Sequence, residues 1–264
     1  MDQAYWHRQT DKPLFPELEW SRPETRTQAG KLLVVGGHAA GFTAPATAYN
    51  EALKADVGSV RVLLPESLRK SVSKVFLEAE FAPSTPSGSF ATQALAELID
   101  AGAWANGLLF PGDLSRNSET TALLETFLEK YPGRVTLTND AADVLIDQPV
   151  ELLQREHTLF VLNLDQLRQL GNNAHFPRAF TSTLGLVQLV EGLHEFTKRV
   201  RIAVITKHQN HYIVALDGQV STTAVTTDKH VWRLAAAAHA SVWWLQNPTK
   251  PLAALTAAIF SYNT

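Results

Sequence analysis

The stretch from Lys31 to Glu66, KLLVVGGHAAGFTAPATAYNEALKADVGSVRVLLPE, constrains the fold most, because it holds an apolar strand, a glycine turn, a helix and a second strand in one short unit. Leu32 to Val35 is a continuous apolar run with β-branched valines, the pattern of a strand buried on both faces. Gly36 and Gly37 stop it, as expected where a chain turns tightly or lets a ligand approach the backbone. Thr43 to Ala55 carries Ala, Glu, Leu and Lys at helical spacing, and Val57 to Leu64 is another β-type run closed by Pro65. A unit of this kind favours a parallel sheet whose ligand crevice lies at the carboxyl ends of the strands.

The alternation continues along the chain. Helices are expected over Phe90 to Ala103, Ser118 to Lys130, from Leu164 to Leu170, and over Leu184 to Thr197. Between them fall strands at Gly107 to Phe110, Arg134 to Thr138, Thr158 to Leu162 and Arg201 to Thr206. A hairpin follows, His211 to Leu216 and Val220 to Thr223, around Asp217-Gly218, a dipeptide suited to a tight turn. Helices over Lys229 to Gln246 and Leu252 to Phe260 close the chain. Strands separated by helices of this length predict an α/β protein with three αβα layers and a mainly parallel sheet. Residues 1–30, with Pro13, Pro16 and Pro23 and no periodicity, read as a surface arm laid over a single domain of residues 31–264.

Composition narrows the function. The net charge is −3 and the basic residues are scattered, so no footprint for nucleic acid or an anionic membrane is visible. Cysteine is absent, which removes disulfides, thiolate catalysis and cysteine metal sites. The nine histidines form no HExxH or HxH pairing, so no metal site is expected, and the dinucleotide-binding and P-loop glycine signatures are absent. No apolar run reaches the 18 residues of a membrane span, and the start lacks an apolar leader core. A soluble cytoplasmic protein is the expectation. The apolar helix with Trp232, Trp243 and Trp244 suits a core or a subunit interface, so a homo-oligomer is compatible with it.

Several segments could carry chemistry. They are Gly36-Gly37, Gly41-Phe42-Thr43-Ala44-Pro45, Asp56-Val57-Gly58-Ser59-Val60, Pro111-Gly112-Asp113-Leu114-Ser115-Arg116, Thr138-Asn139-Asp140-Ala141, Asn163-Leu164-Asp165, Thr206-Lys207 and Val225-Thr226-Thr227-Asp228. Read locally, the Pro-Gly segment makes a turn before a Ser-capped helix, and Asp140 either caps the next helix or holds a hydrated ion or a substrate hydroxyl. Lys207 is a solvated strand-end lysine or a point charge for phosphate, and Asp228 is a first-turn aspartate favoured by the helix dipole or a base.

In order and spacing these segments resemble the ADP/ATP-dependent NAD(P)H-hydrate dehydratase family of the ribokinase-like superfamily. The departures from that pattern are Asp56 for a glycine, an inserted Asp113, Asn163 to Asp165 where a His-x-Gly-Glu element is usual, and Thr226-Thr227 where the anion-hole glycines are usual. The chain also ends soon after the helix that follows Asp228 and its successor, so part of the usual rim is expected to be missing.

The resemblance implies the ribokinase-like fold, with ADP or ATP and Mg²⁺ as cofactors and hydrated NAD(P)H or a related metabolite as substrate. It implies Asp228 as the catalytic base, Lys207, Thr226 and Thr227 at the nucleotide phosphates, and Gly37, Thr43, Asp140, Asn163 and Asp165 on the substrate side. The missing glycines and the altered substrate segment leave two alternatives open: a non-catalytic nucleotide- or metabolite-binding homologue, and a small-molecule kinase of the same superfamily.

Overall fold

A computed structural model describes residues 4–74, 76–147, 153–226 and 231–263. Its strands are β1 (Trp6–Gln9), β2 (Lys31–Val35), β3 (Ser59–Pro65), β4 (Ala79–Ala82), β5 (Gly107–Phe110), β6 (Arg134–Thr138), β7 (Thr158–Leu162), β8 (Ala203–His208), β9 (His211–Leu216) and β10 (Gln219–Ala224). The helices are α1 (Pro16–Trp20), α2 (Thr43–Lys54), α3 (Arg69–Val72), α4 (Leu95–Trp104), α5 (Ser118–Lys130), α6 (Asn139–Ile146), α7 (Leu164–Asn173), α8 (Leu186–Thr197), α9 (Trp232–Gln246) and α10 (Pro251–Asn263). The strands form one ten-stranded sheet in the order β1-β10-β9-β8-β7-β6-β5-β2-β3-β4. Only β9 runs against the rest.

The apolar runs of the central strands follow from burial on both faces. Leu33 and Val35 of β2 pack into a core with α4, α5, α6, α7 and α8, whereas Leu32 and Val34 pack into the opposite core with α2, α9 and α10. This is the expected three-layer arrangement. Helices α9 and α10 are apolar nearly all round because they are packed against the sheet, against each other and, for α9, against α2 as well. The Asp217-Gly218 turn has φ of 50° and 74°, the positive pair that a tight hairpin matched to strand twist requires.

Several boundaries move. The first thirty residues contribute β1, which pairs parallel to β10 at the sheet edge with Trp6 Nε1 donating to Thr222 Oγ1 at 2.9 Å, and they also contribute α1. The helix expected from Phe90 starts at Leu95 after a 3₁₀ turn, Thr92–Ala94. The cap of α5 is Asn117, not Ser118: its Oδ1 accepts the amides of Glu119 and Thr120. The start expected for the penultimate helix, Lys229, lies outside the described residues. Among the described residues no helix is long and apolar enough to cross a membrane.

The chain runs from β2 outward to β3 and β4, then returns to place β5 on the other side of β2. The order therefore reverses between β2 and β5, and the loops after β5, β6, β7, β8 and β10 all emerge at the same, carboxyl edge of the sheet.

Candidate functional site

Beyond β5, β6 and β7 at that edge lies a cavity of about 750 Å³, large enough for a small-molecule ligand. Three loops and their helix starts wall it: Ser115 to Ser118 before α5, Asn139 to Asp147 along α6, and Asn163 to Gln169 along α7. Arg233 of α9 closes the set.

The crevice between β2 and β5, where the strand order reverses, is filled by backbone. Gly37 N donates to Gly112 O at 3.4 Å, and a Cβ on Gly36 would fall 2.5 Å from that same oxygen. Gly112 has φ of 117° and lies so close to Asp140 that a Cβ there would be 2.4 Å from Oδ1, so only glycine fits. Asp113 makes the inserted residue useful: its Oδ2 accepts the Ala44 amide at 2.7 Å, holding the first turn of α2, while His38 Nδ1 donates to its carbonyl at 3.0 Å. Asp140 Oδ2 accepts the Leu114 amide at 2.9 Å, and Asn139 Nδ2 donates to Pro111 O at 2.8 Å. Asp113, Ser115 and Asn139 all have φ between 53° and 58°, a left-handed backbone that costs side-chain-bearing residues free energy and is concentrated here at the cavity edge.

Gln166 joins the other walls. It is 6 % exposed. Its Nε2 donates to Asn139 O at 2.8 Å and to Asp143 Oδ1 at 2.6 Å, and its Oε1 accepts from the Asn163 amide at 3.2 Å and from Arg233 Nη1 at 2.8 Å. Two donors and two acceptor sites are thereby all engaged, and the N-terminal turns of α6, α7 and α9 are tied to one amide. Asn163 completes a reciprocal cap, its Oδ1 accepting the Gln166 amide at 2.8 Å. Burial lowers the proton affinity of the Arg233 guanidinium, and the Asp143 charge partly offsets that.

Of the residues singled out from sequence, Asp140, Asn163 and Asp165 meet in the cavity. Asp140 acts there chiefly as a pin for the β5–α5 loop, and Asp165 projects with an 84 % exposed side chain, 3.7 Å from Arg168. Gly37 sits on the neighbouring β2–α2 loop and Thr43 opens α2, and neither lines the cavity. Lys207 is the penultimate residue of β8, with Nζ 5.7 Å from the Tyr212 ring centre. Exposed Thr226 follows β10, and its amide donates to Asn263 Oδ1 at 3.1 Å while its hydroxyl donates to the Asn263 carbonyl. Thr227 and Asp228 lie outside the described residues. The sequence placed Arg116 in the Pro-Gly segment without assigning it a role, and it did not single out Gln166, Asp143 or Arg233. The Asn-x-x-Gln spacing was a legible cap signal for Gln166, whereas Arg233 sits in a helix that reads as apolar.

No protein-family model matches the chain, and no curated protein sequence matches it significantly. Solved structures do. A ribokinase-like superfamily protein from Enterococcus faecalis superposes with a TM-score of 0.74 at 12 % identity, covering 100 % of this chain and 88 % of that one. An ADP/ATP-dependent NAD(P)H-hydrate dehydratase from Bacillus subtilis, co-crystallized with ATP/Mg²⁺, gives 0.65 at 12 % identity over 95 % and 87 % of the two chains. A phosphomethylpyrimidine kinase from Clostridium difficile gives 0.50 at 9 % identity over 88 % and 96 %. The fold is therefore ribokinase-like, an architecture this chain shares with both kinases and dehydratases.

Proposed function

We propose that the protein is a nucleotide-dependent enzyme of the NAD(P)H-hydrate dehydratase kind, acting in the cytoplasm. The observation that carries this reading is the cavity at the carboxyl ends of β5, β6 and β7, walled by Asp140, Asn163 and Asp165 on a ribokinase-like fold. Lys207, one residue before the end of β8, and Thr226, on the segment after β10, lie toward the same edge. In this scheme the cavity receives the substrate hydroxyl, and Asp228 takes its proton as the phosphoryl group of ADP or ATP is transferred. Lys207 contributes positive charge at the phosphates together with Thr226 and Thr227. Loss of the phosphate then restores the nicotinamide double bond. Among the described residues no group of three or more His, Asp or Glu side chains could hold a metal ion, so Mg²⁺ would enter with the nucleotide, bound through its phosphates and at most one or two carboxylates.

A small-molecule kinase is the second reading, favoured by the substrate wall: the Asn163-Gln166 cap and Arg233 occupy the region where the resemblance leads one to expect a His-x-Gly-Glu element. The Asn263 clamp on Thr226 supports a third, ligand binding without turnover, because the Thr226 amide is engaged. Titration of ADP and ATP with Mg²⁺, followed by recovery of NADH absorbance from its hydrate, separates the three. Nucleotide-dependent recovery that is lost in Asp228→Asn supports the dehydratase, and unchanged turnover in that variant refutes the assignment of the base. Binding without recovery favours another acceptor or a binding protein.

A further inference from the structure

The polar groups around the cavity fall into two sets. The acids and amides mostly hold the protein to itself: Asp140 on the Leu114 amide, Asp143 on Gln166 Nε2, Asn163 on the Gln166 amide, and Asn139 on the Pro111 carbonyl. The guanidiniums are engaged far less. Arg233 has five N–H donors, and among the described residues its one hydrogen bond is from Nη1 to Gln166 Oε1, with no carboxylate in salt-bridge contact. Arg116, exposed on the β5–α5 wall, has no hydrogen bond or ion pair among the described residues.

A half-buried guanidinium with one end anchored by a neutral amide is an unusual arrangement. Burial costs it hydration without a counter-charge in contact among the described residues, and its planar Nε/Nη2 edge keeps the geometry that matches two oxygens of a carboxylate or phosphate. Gln166 holds the fork so that little side-chain entropy remains to be lost on binding.

We propose that the substrate taken by this cavity carries an anionic oxygen group, a carboxylate or a phosphate, and that Arg233, positioned by Gln166, grips it with Arg116 assisting from the rim. This rests on the reading of the cavity as the acceptor-substrate site, and it adds the chemical class of that substrate. A cavity of about 750 Å³ accommodates the anion together with a hydroxyl-bearing body of sugar size or larger.

The test is calorimetric binding of two matched pairs to the full chain: ribose 5-phosphate against ribose, and gluconate against sorbitol. At least one anion is expected to bind tenfold or more tightly than its neutral partner. Arg233→Gln should remove that preference, and Arg233→Lys should retain part of it. Whichever pair discriminates identifies phosphate or carboxylate as the group. On wild-type protein, the same anion should slow phenylglyoxal modification of Arg233 read by mass spectrometry, a measurement that does not depend on a variant folding. ATP with Mg²⁺ is titrated in parallel. Retention of ATP affinity in Arg233→Gln places the arginine on the acceptor side, and its loss reassigns Arg233 to the nucleotide and overturns the proposal. Equal affinity within both pairs, no binding by either anion, or an undiminished preference in Arg233→Gln also overturns it, and none of these alters the separate question of nucleotide binding.

Discussion

Replacing Gln166 by Leu keeps the approximate volume and removes an amide that makes four hydrogen bonds. The partners left behind are Asn139 O, Asp143 Oδ1, the Asn163 amide and Arg233 Nη1. A neutral hydrogen bond contributes about 0.5–1.5 kcal/mol net, and one to a charged group about 1.5–3 kcal/mol. Asp143 and Arg233 line the open cavity, so water can replace part of their loss. The two backbone groups at the α6 and α7 starts carry most of the penalty, for a total of about 2–3 kcal/mol. Unfolding entropy of about 2.1 cal/mol/K per residue for a chain of this length turns that into a Tm shift of roughly 4–5 °C, read by circular dichroism or calorimetry. A Tm loss below about 1 °C in Gln166→Leu would refute the hub reasoning.

Other consequences are direct. Arg155 donates to the carbonyls of Leu128, Tyr131, Gly133 and Glu156, capping the end of α5 with a cation that burial pushes down to a pKa of about 10. Arg155→Met is expected to cost about 2–4 kcal/mol in urea unfolding, and a loss below about 0.5 kcal/mol would show those carbonyls are satisfied otherwise. Burial lowers the pKa of His211 below 6.5, so its stabilising contribution is present above that pH and lost as the pH falls through it. Between pH 7.5 and 5.5 wild type should lose more stability than His211→Gln, and parallel profiles would contradict this. Asn263→Ala removes the side chain that accepts the Thr226 amide. If that amide serves nucleotide phosphates, ADP and ATP should bind several-fold more tightly while Tm falls by a few degrees, and unchanged affinity would exclude the amide from the phosphate site.

Long apolar runs made the central sheet readable. Gly107–Phe110, Arg134–Thr138 and Thr158–Leu162 keep the boundaries expected of them, because strands buried on both faces carry apolar or β-branched side chains at nearly every position, Thr136, Thr138 and Thr158 being buried among them. The edge strands β1 and β4 escaped notice: each has four residues, mixed in polarity, and is specified by the neighbour it pairs with. At the site, Asp140, Asn163 and Asp165 were legible because each stands within three residues after a strand, where a carboxyl-edge loop must begin. Arg233 was not, since a single arginine beside Trp232 and an alanine run carries no periodic signal of what it faces.

By itself the sequence determined the order of the central strands and their helices, the two-faced burial of the sheet, the glycine turn after β2 and the edge at which the loops gather, since these depend on local periodicity and backbone preference. Only the tertiary structure decided which polar groups are already satisfied. Asp140 meets Leu114 across 26 residues and Gln166 meets Arg233 across 67, and a hydrogen-bond partner that distant leaves no trace in local spacing. That distribution of partners fixes Asp113, Asp140 and Asp143 as supports and, among the described residues, leaves the Arg116 and Arg233 guanidiniums with donors to offer.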